Sequence, residues 1–370
     1  MAKKSASPAR KAAAPAANAA TMAEIARLCG TTKMTVSRVF AGRPGVGEEL
    51  RQKILKAGQR LNYEVNQQAR NFSANRAGFV GIATPFEGLL GSCYFQRVVE
   101  GLNHGLRSSP HDLALFDMLS ASFEDGAKLE RLWRQRKVDG LVILAPHTTD
   151  HFMRPLIDSG VPLVVVGEHP DDAAIASIMG NDRMGIGLAV DHLVALGHRR
   201  IAFVGGPTDL SSAARRLESF TGTMKSHGLK VDPEMLGKGD YTMHSGRVAG
   251  ARLLNRAIRP TAIVAANDYM AMGIIQSAQE LGLRVPNDLS VTGFDNLPSS
   301  VDYWPPLTTV HQPVFDIGLK AAQLLITQMD GSPAPDQPDP LTERQIVTEV
   351  SLLVRLSTAR AADTTGRTSR

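Results

Sequence analysis

Apolar residues in the first part of the chain recur every three or four positions, the spacing of an amphipathic helix. Thr21–Phe40 reads TMAEIARLCGTTKMTVSRVF. Met22, Ile25, Ala26 and Cys29 form one stripe; Gly30 permits a tight turn, and Thr32 suits an N-cap. Val36, Val39 and Phe40 form a second inward stripe, with Lys33, Met34, Ser37 and Arg38 on the opposite face. Two short helices joined in this way make a helix-turn-helix; a plain helical hairpin with a polar outer face has the same pattern. A third helix follows the turn-rich run Arg43–Gly47, with Leu50, Ile54, Gly58 and Leu61 on one face. Val65–Arg76 is a short polar segment with Ala69 and Phe72 at helical spacing, readable as a marginal helix or as a linker.

From Gly78 the period changes. Short apolar runs at 79–83, 113–116, 140–144 and 163–166 read as strands, alternating with helical patterns at Tyr94–Ser108, Phe123–Arg136 and His151–Ser159. A second series has strands at 201–204, 262–265 and 290–294 and helices at Asn181–Leu196, Ala213–His227, Val248–Ala257 and Asp268–Leu281. Such alternation predicts parallel sheets covered by helices. Val314–Gln328 and Arg344–Leu356 return late, as expected if the chain crosses more than once between two lobes. The predicted fold is α/β: an N-terminal helix-turn-helix headpiece and a two-lobed clamshell of parallel sheets, with a ligand between the lobes at the C-terminal ends of the strands. The expected segments are a disordered Ala/Pro/Lys-rich tail at 1–20, a helix-turn-helix headpiece at 21–63, a short helix or linker at 64–77, a two-lobed α/β domain at 78–356, and a flexible tail at 357–370.

Charge sharpens the division. The chain has 370 residues and a net charge of +5, yet residues 1–76 carry +10 and the remainder −5. A basic small unit joined to an acidic large one points to a polyanion partner at the N-terminal end only. On the outer face of the second helix, Lys33 and Arg38 can donate to guanine, and Met34 can touch base edges. Thr32, Thr35, Ser37 and the free N–H groups at the helix start can hold phosphates. No apolar run is long enough to span a membrane, and no apolar core follows the basic N-terminus as in a signal peptide. With only Cys29 and Cys93, a disulfide framework is not expected, in keeping with a reducing cytoplasm.

The run A-E-I-A-x-x-C-G-x-T-x-x-T-V-S-R-V-F, with Leu61-Asn62-Tyr63, resembles the headpiece of the LacI/GalR family of bacterial transcription regulators. Further matches lie at Asp191–Ile201, Pro260–Ala271, Gly293-Phe294-Asp295 and Pro305–Thr309, in family order at family spacing. The resemblance implies a periplasmic-binding-protein-like effector domain and a homodimer whose two headpieces read a pseudo-palindromic double-stranded operator. It implies a hinge helix at 64–77 that folds on DNA and wedges an apolar side chain into the minor groove. Phe72 stands where leucine is usual, beside Ala69. The tail after Leu356 lacks the leucine heptads of tetrameric relatives. The function implied is repression of carbohydrate-utilisation genes under control of a small sugar-like effector. A cytoplasmic sugar sensor without DNA activity is the alternative.

By the same resemblance, Arg216 stands at the ligand-binding arginine, with Asn267, Asp295, Tyr241 and Gln312 at further ligand positions. Phe86 and Tyr94, with Phe95, add walls from the first lobe. Planar polar groups pair with adjacent sugar hydroxyls, and aromatic faces stack on ring C–H groups. Each has a plainer reading: Asn267 and Asp295 as helix caps, Arg216 as an ion-pair partner with Arg215 turned inward, Tyr94 or Phe95 as core. Where the family often places an acid after the 163–166 strand, this chain has Gly167 and then Glu168. His147 and His151 lack a third metal ligand. Gly185-Ile186-Gly187 lies inside a helical pattern and lacks the third glycine of a nucleotide loop. No cofactor, metal or catalytic acid–base pair is expected.

Overall fold

The computed structural model describes residues 20–63, 76–84, 89–117, 126–146, 153–170, 172, 174–330 and 344–361. The chain divides into two compact units, Met1–Asn75 and Arg76–Arg370. In the first, α1 (Met22–Cys29), α2 (Lys33–Phe40) and α3 (Glu48–Arg60) enclose Ile25, Val36, Val39 and Ile54. Thr21 opens α1 with a reciprocal capping box: it accepts from Glu24 N (3.3 Å), and the Glu24 carboxylate accepts from Thr21 N (2.9 Å). Gly30 ends α1 at φ 66°, a left-handed turn that costs glycine little. The tip of the Phe40 ring packs on Gly58, where an added Cβ would stand 2.6 Å from its Cζ.

The second unit holds two six-stranded sheets. In the first lobe the order is β11-β5-β4-β3-β1-β2, and in the second β12-β10-β9-β8-β6-β7. The first lobe comprises β1 (Phe79–Thr84), β2 (Asp112–Asp117), β3 (Gly140–Leu144), β4 (Leu163–Val166), β5 (Ala176–Gly180) and β11 (Gln345–Thr348). The second comprises β6 (Ile201–Gly205), β7 (Leu236–Lys238), β8 (Ala262–Ala265), β9 (Ser290–Asp295), β10 (Thr308–His311) and β12 (Ser351–Leu353). All pairings are parallel except β10 with β12. The chain passes between lobes three times: after β5, after β10 and after β11. Among the described residues no helix is long and apolar enough to cross a membrane.

Several boundaries differ from expectation. Strands β5, β7 and β10 were not among the predicted elements, and the late segment Arg344–Leu356 is two short strands, one per lobe. They are short, and in β10 threonines are buried by pairing with neighbouring strands, which periodicity does not register. The helix expected from Val248 begins at Met243, where Thr242 accepts from Ser245 N (3.1 Å). The helix expected at Phe123–Arg136 spans Ala127–Arg134, opening on Gly126 in a left-handed conformation; Phe123 lies outside the described residues. Only Met153–Asp158 of the expected His151–Ser159 helix is described. The flexible tail expected from 357 is corrected for its first five residues. The Ser357 hydroxyl donates to Val291 O (2.6 Å) and accepts from Thr308 N (2.8 Å), while Ala361 N donates to Leu196 O (2.9 Å). Gly185 and Gly187 lie in the helix Asp182–Ala195; a Cβ at Gly185 would stand 2.5 Å from the Phe294 ring, so that glycine serves close packing.

One polar cluster fixes the start of the second unit. Asp139, just before β3, accepts from Ala77 N (2.8 Å) and Gly78 N (2.7 Å), and His111 Nε2 lies 3.3 Å away. Burial alone would raise the Asp139 pKa; the nearby His111 ring and the hydrogen bonds from Ala77 and Gly78 outweigh it and hold the carboxylate below its usual range. A depressed carboxylate pKa adds stability that is present above the unfolded value and lost as pH falls through the folded one. Asp139→Ala should therefore destabilise the second unit by about 2 kcal/mol at pH 7, by leaving two N–H groups unpaired. The deficit should shrink as pH falls below the unfolded carboxylate range and through the lowered folded value, where the parent carboxylate also protonates. Denaturant unfolding across that range checks this; a deficit that does not change with pH would remove the carboxylate's charge from the account.

Candidate functional site

Two surfaces carry the candidate chemistry. On the headpiece, Thr32 caps α2 by accepting from Thr35 N (3.2 Å), and its hydroxyl also meets that of Thr35 (3.0 Å). Lys33, Met34, Ser37 and Arg38 are all exposed, and Met34 is 77% exposed. Met34 thus takes no part in the headpiece core. Ala69 and Phe72 lie outside the described residues, as do Phe86, His147 and His151.

The second surface is a cleft of about 700 Å³ between the lobes of the effector unit, at the C-terminal ends of the strands. It gathers Tyr94, Arg216, Tyr241, Asn267, Asp295 and Gln312, whereas Phe95, also expected as a wall, packs on the first-lobe core instead. Arg216, on the helix Ser211–Ser226, is the pivot. Its Nε donates to Asp182 Oδ1 (2.8 Å), Nη1 donates to Ala266 O, and Nη2 stands 4.0 Å from Asp295 Oδ1. The guanidinium lies 3.8 Å above the Phe294 ring. Burial works against its charge, but Asp182 foremost, then Tyr241 and Asp295, hold its pKa above the ordinary value.

Asp295 ends β9 at φ 108° and is followed by Asn296 at φ 55°, a pair of left-handed residues that store backbone strain at the cleft. Gln312 Nε2 donates to its Oδ1 (2.6 Å). Burial pushes the carboxyl up to about 6, with Arg216 and Gln312 pulling back and Asp182 adding to the rise. Behind it, the buried Asp268 accepts from Thr309 Oγ1 (2.5 Å) and Leu297 N (2.7 Å), and so holds the chain just past Asp295. Burial, then Asp295, raise the Asp268 pKa well above the usual carboxylate range.

Asn267 meets both readings. Its Oδ1 caps the helix Asp268–Glu280 by accepting from Met270 N (2.9 Å), and its Nδ2 donates to Tyr241 O (3.0 Å), while the side chain still lines the cleft. Tyr241 has φ 67°; its hydroxyl meets Ser212 Oγ (3.2 Å), and its ring packs where a Cβ on Gly206 would fall 2.2 Å away. Tyr94 reaches the cleft and also packs on the first-lobe core. Burial raises the pKa of both tyrosines, so each keeps its hydroxyl proton as a donor.

Sequence reasoning missed Asp182, which binds both neighbouring arginines: Oδ1 takes Arg216 and Oδ2 takes Arg215 Nε (3.0 Å). It follows β5, the strand that periodicity did not reveal; its available signal was an acid one residue past an N-capping Asn181. Arg215 also spans the lobes. Its Nη1 donates to both Glu168 oxygens (3.1 Å) and Nη2 to Gly167 O (3.0 Å). A second bridge runs from the Tyr269 hydroxyl to Cys93 Sγ (2.9 Å).

Residues 21–66 match the bacterial regulatory proteins of the lacI family, and residues 190–358 match a periplasmic binding protein-like domain. The chain is 35% identical over 356 residues to the HTH-type transcriptional regulator MalR of Streptomyces coelicolor, covering 94% of this chain and 98% of that protein. This chain belongs to the LacI family. It is also 32% identical to catabolite control protein A of Priestia megaterium, over 84% of this chain and 92% of that one. The lac repressor dimer bound to operator and an anti-inducer superposes with a TM-score of 0.80 at 27% identity, covering 92% of this chain and 100% of that one. The CelR–cellobiose complex superposes with a TM-score of 0.68 at 27% identity, covering 91% and 99%. Family members are transcription regulators rather than enzymes, and the lobes are the family's effector fold.

The raised Asp295 pKa has a signed consequence. A carboxyl whose folded pKa exceeds its unfolded value favours the folded state most below the unfolded pKa, and that advantage is lost as pH rises through about 6. Ionised Asp295 thus burdens the ligand-free protein by about 3 kcal/mol at pH 7.5. Asp295→Asn should raise the melting temperature at pH 7.5 more than at pH 4, and a scan showing equal shifts would count against the raised pKa. For the lobe bridge, whose two side chains are largely buried, Glu168→Gln should cost about 1–3 kcal/mol, with Arg215 keeping Asp182 and Gly167 O. It should speed hydrogen exchange on the facing lobe edges, and unchanged exchange would mean that the bridge does not hold the lobes together.

Proposed function

We propose that this chain is a sequence-specific transcription regulator, a repressor of carbohydrate-utilisation genes whose hold on its operator is controlled by a small sugar-like effector. The observation that carries this reading is the pairing, in one LacI-family chain, of an exposed Lys33–Met34–Ser37–Arg38 face with a clamshell cleft of convergent hydroxyl-binding groups. It acts in the cytoplasm, where operator and effector are both available. Two copies bind a pseudo-palindromic duplex, since a two-fold protein matches a two-fold site.

Lys33 and Arg38 read base edges in the major groove, Met34 makes apolar base contacts, and Thr32, Thr35 and Ser37 hold phosphates. Ala69 and Phe72 supply the minor-groove wedge. In the cleft, Asp295 and Arg216 pair with effector hydroxyls; Asn267 and Gln312 complete the polar lining, and Phe86, Tyr94 and Tyr241 form the walls. Effector binding favours one arrangement of the lobes. A difference in DNA affinity between the two arrangements is what couples effector to operator.

Selection of bound fragments from random duplexes, with full-length protein at stated salt, should return one pseudo-palindrome. Recovery of no motif, with sugar binding intact, would leave a sensor that does not read DNA. Arg38→Ala should weaken binding to that motif about tenfold or more while sugar affinity stays unchanged. Equal loss of both would signal misfolding. Light scattering should report dimers, and a stable tetramer would contradict the assembly proposed.

A further inference from the structure

The direction in which Asp295 points depends on an unusual stretch of backbone. It stands at φ 108° and Asn296 at φ 55°, two consecutive left-handed residues that are not glycine. An aspartate at such an angle carries strain, which persists only where neighbours fix the chain on both sides. On one side, Phe294 and Asp295 pair with Val310 and His311 of β10. On the other, the chain is fixed through Asn296, whose own partners Arg355 and His311 do not line the cleft.

Arg355, two residues beyond β12, makes the most contacts there. Its Nη2 donates to Asn296 Oδ1 (2.6 Å), and its Nη1 donates to Leu307 O (2.8 Å) and Ser300 Oγ (3.1 Å). Its backbone N–H donates to Thr308 Oγ1 (2.9 Å), so the root of the side chain is fixed as well as its tip. A planar guanidinium anchored in this way presents its donors in one direction. The His311 ring grips the same amide from its other end, with Nδ1 lying 3.1 Å from Asn296 Nδ2. The backbone follows: Asn296 N donates to Thr309 Oγ1 (3.4 Å), and Leu297 N donates to the buried Asp268 (2.7 Å). Burial disfavours the ionised form of Asp268, and the Arg355 charge works against that penalty. Arg355 itself lines a neighbouring groove, whose wall toward the cleft is Asp295 and Gln312.

These groups come from the crossings between the lobes. Gln312, which donates to Asp295, directly follows β10, where the chain leaves the second lobe. Arg355 follows β12, the strand on which the chain returns to that lobe through Glu349 and Val350. Asp182, at the crossing after β5, reaches toward Asp295 through Arg216. All three crossings therefore bear on one carboxylate, the last of them through Arg355 and Asn296.

We propose that Arg355 is a positioning residue for the effector: by holding Asn296 in its left-handed conformation it aims the Asp295 carboxylate into the cleft, and it ties the last crossing between the lobes to that carboxylate. Arg355 does not touch the effector. This assignment rests on the reading of Asp295 as an effector group, but its test needs no effector, so each can fail alone.

Full-length protein is compared with its Arg355→Ala, Arg355→Lys and Asn296→Gly variants by hydrogen exchange at pH 7.5. In Arg355→Ala the amides of Asn296 and Leu297 should exchange about tenfold faster or more, as expected for loss of a charge-assisted hydrogen bond, while β6 and β8 exchange as in the parent. Arg355→Lys should recover part of the protection, since lysine restores the charge but not the fork. Asn296→Gly removes the contact and leaves the backbone angle unstrained. Adding Arg355→Ala to it should raise exchange less than about threefold, because the two residues act through one contact. The second readout is the margin by which Asp295→Asn raises the melting temperature more at pH 7.5 than at pH 4. In the Arg355→Ala background that margin should fall by about half or more, because a carboxylate released from its turn reaches water. Faster exchange spread evenly over the second lobe would make Arg355 a packing residue and overturn the proposal. A pH margin that Arg355→Ala leaves unchanged overturns it too. If Arg355→Ala does not fold, Arg355→Lys and Asn296→Gly decide by the same two readouts: local loss of protection with a reduced margin supports the proposal, and parent-like behaviour in both overturns it.

Discussion

The effector unit depends on the meeting of Asp182 with two consecutive arginines. Arg216 is almost fully buried, and a buried guanidinium without a counter-charge costs about 3–5 kcal/mol. One carboxylate answers it, and its second oxygen takes Arg215. Asp182 stands where the chain leaves β5 for the second lobe, so the residue that neutralises this buried arginine also sits beside a crossing. From there the network extends both ways: through Arg216 toward Asp295 and Gln312 at the second crossing, and through Arg215 to Glu168 in the first lobe. A ligand that perturbs any member must redistribute hydrogen bonds on both lobes.

Much of this was legible in the sequence, and the limits have physical reasons. Long amphipathic segments such as Ser211–Ser226 and Asp268–Glu280 follow from periodicity, and the inward stripe of α2 was read residue by residue. Short strands were not. Thr308–His311 buries threonines because neighbouring strands take up its backbone, a tertiary fact invisible to a local pattern. That loss extended to the site, since Asp182 reaches the cleft only once Ala176–Gly180 is known to be a strand. The choice between Arg215 and Arg216 had a third outcome: both turn inward, sharing one acid. The two readings of Asn267 likewise proved compatible, because an amide has enough donors and acceptors to cap a helix and line a cleft.

The two ends of the chain's logic meet different physical demands. The headpiece keeps its polar and cationic face bare over a core of few residues, with capping bonds fixing the starts of α1 and α2. The effector unit does the reverse, drawing charges inward and balancing them there. At its start, Asp139 ties Ala77 and Gly78 to the base of the first sheet. The chain therefore enters the lobe in a defined direction, set by two backbone bonds rather than by side-chain packing.

Within each lobe, one helix pair crosses at reciprocal glycines. A Cβ at Gly101 would stand 2.0 Å from Phe315 O, and one at Gly318 would stand 2.1 Å from Val98 O. In the second lobe Gly246 and Gly273 stand in the same relation to Met270 O and Met243 O, at 2.3 and 2.0 Å. Backbones in such contact have no slack: sliding either helix by an ångström drives carbonyls into the neighbouring chain. Each lobe therefore behaves as a stiff lever arm, and compliance concentrates in the three short crossings. Small displacements at the cleft are then delivered to the far ends of the lobes amplified rather than absorbed, as in a pair of tongs whose arms do not bend.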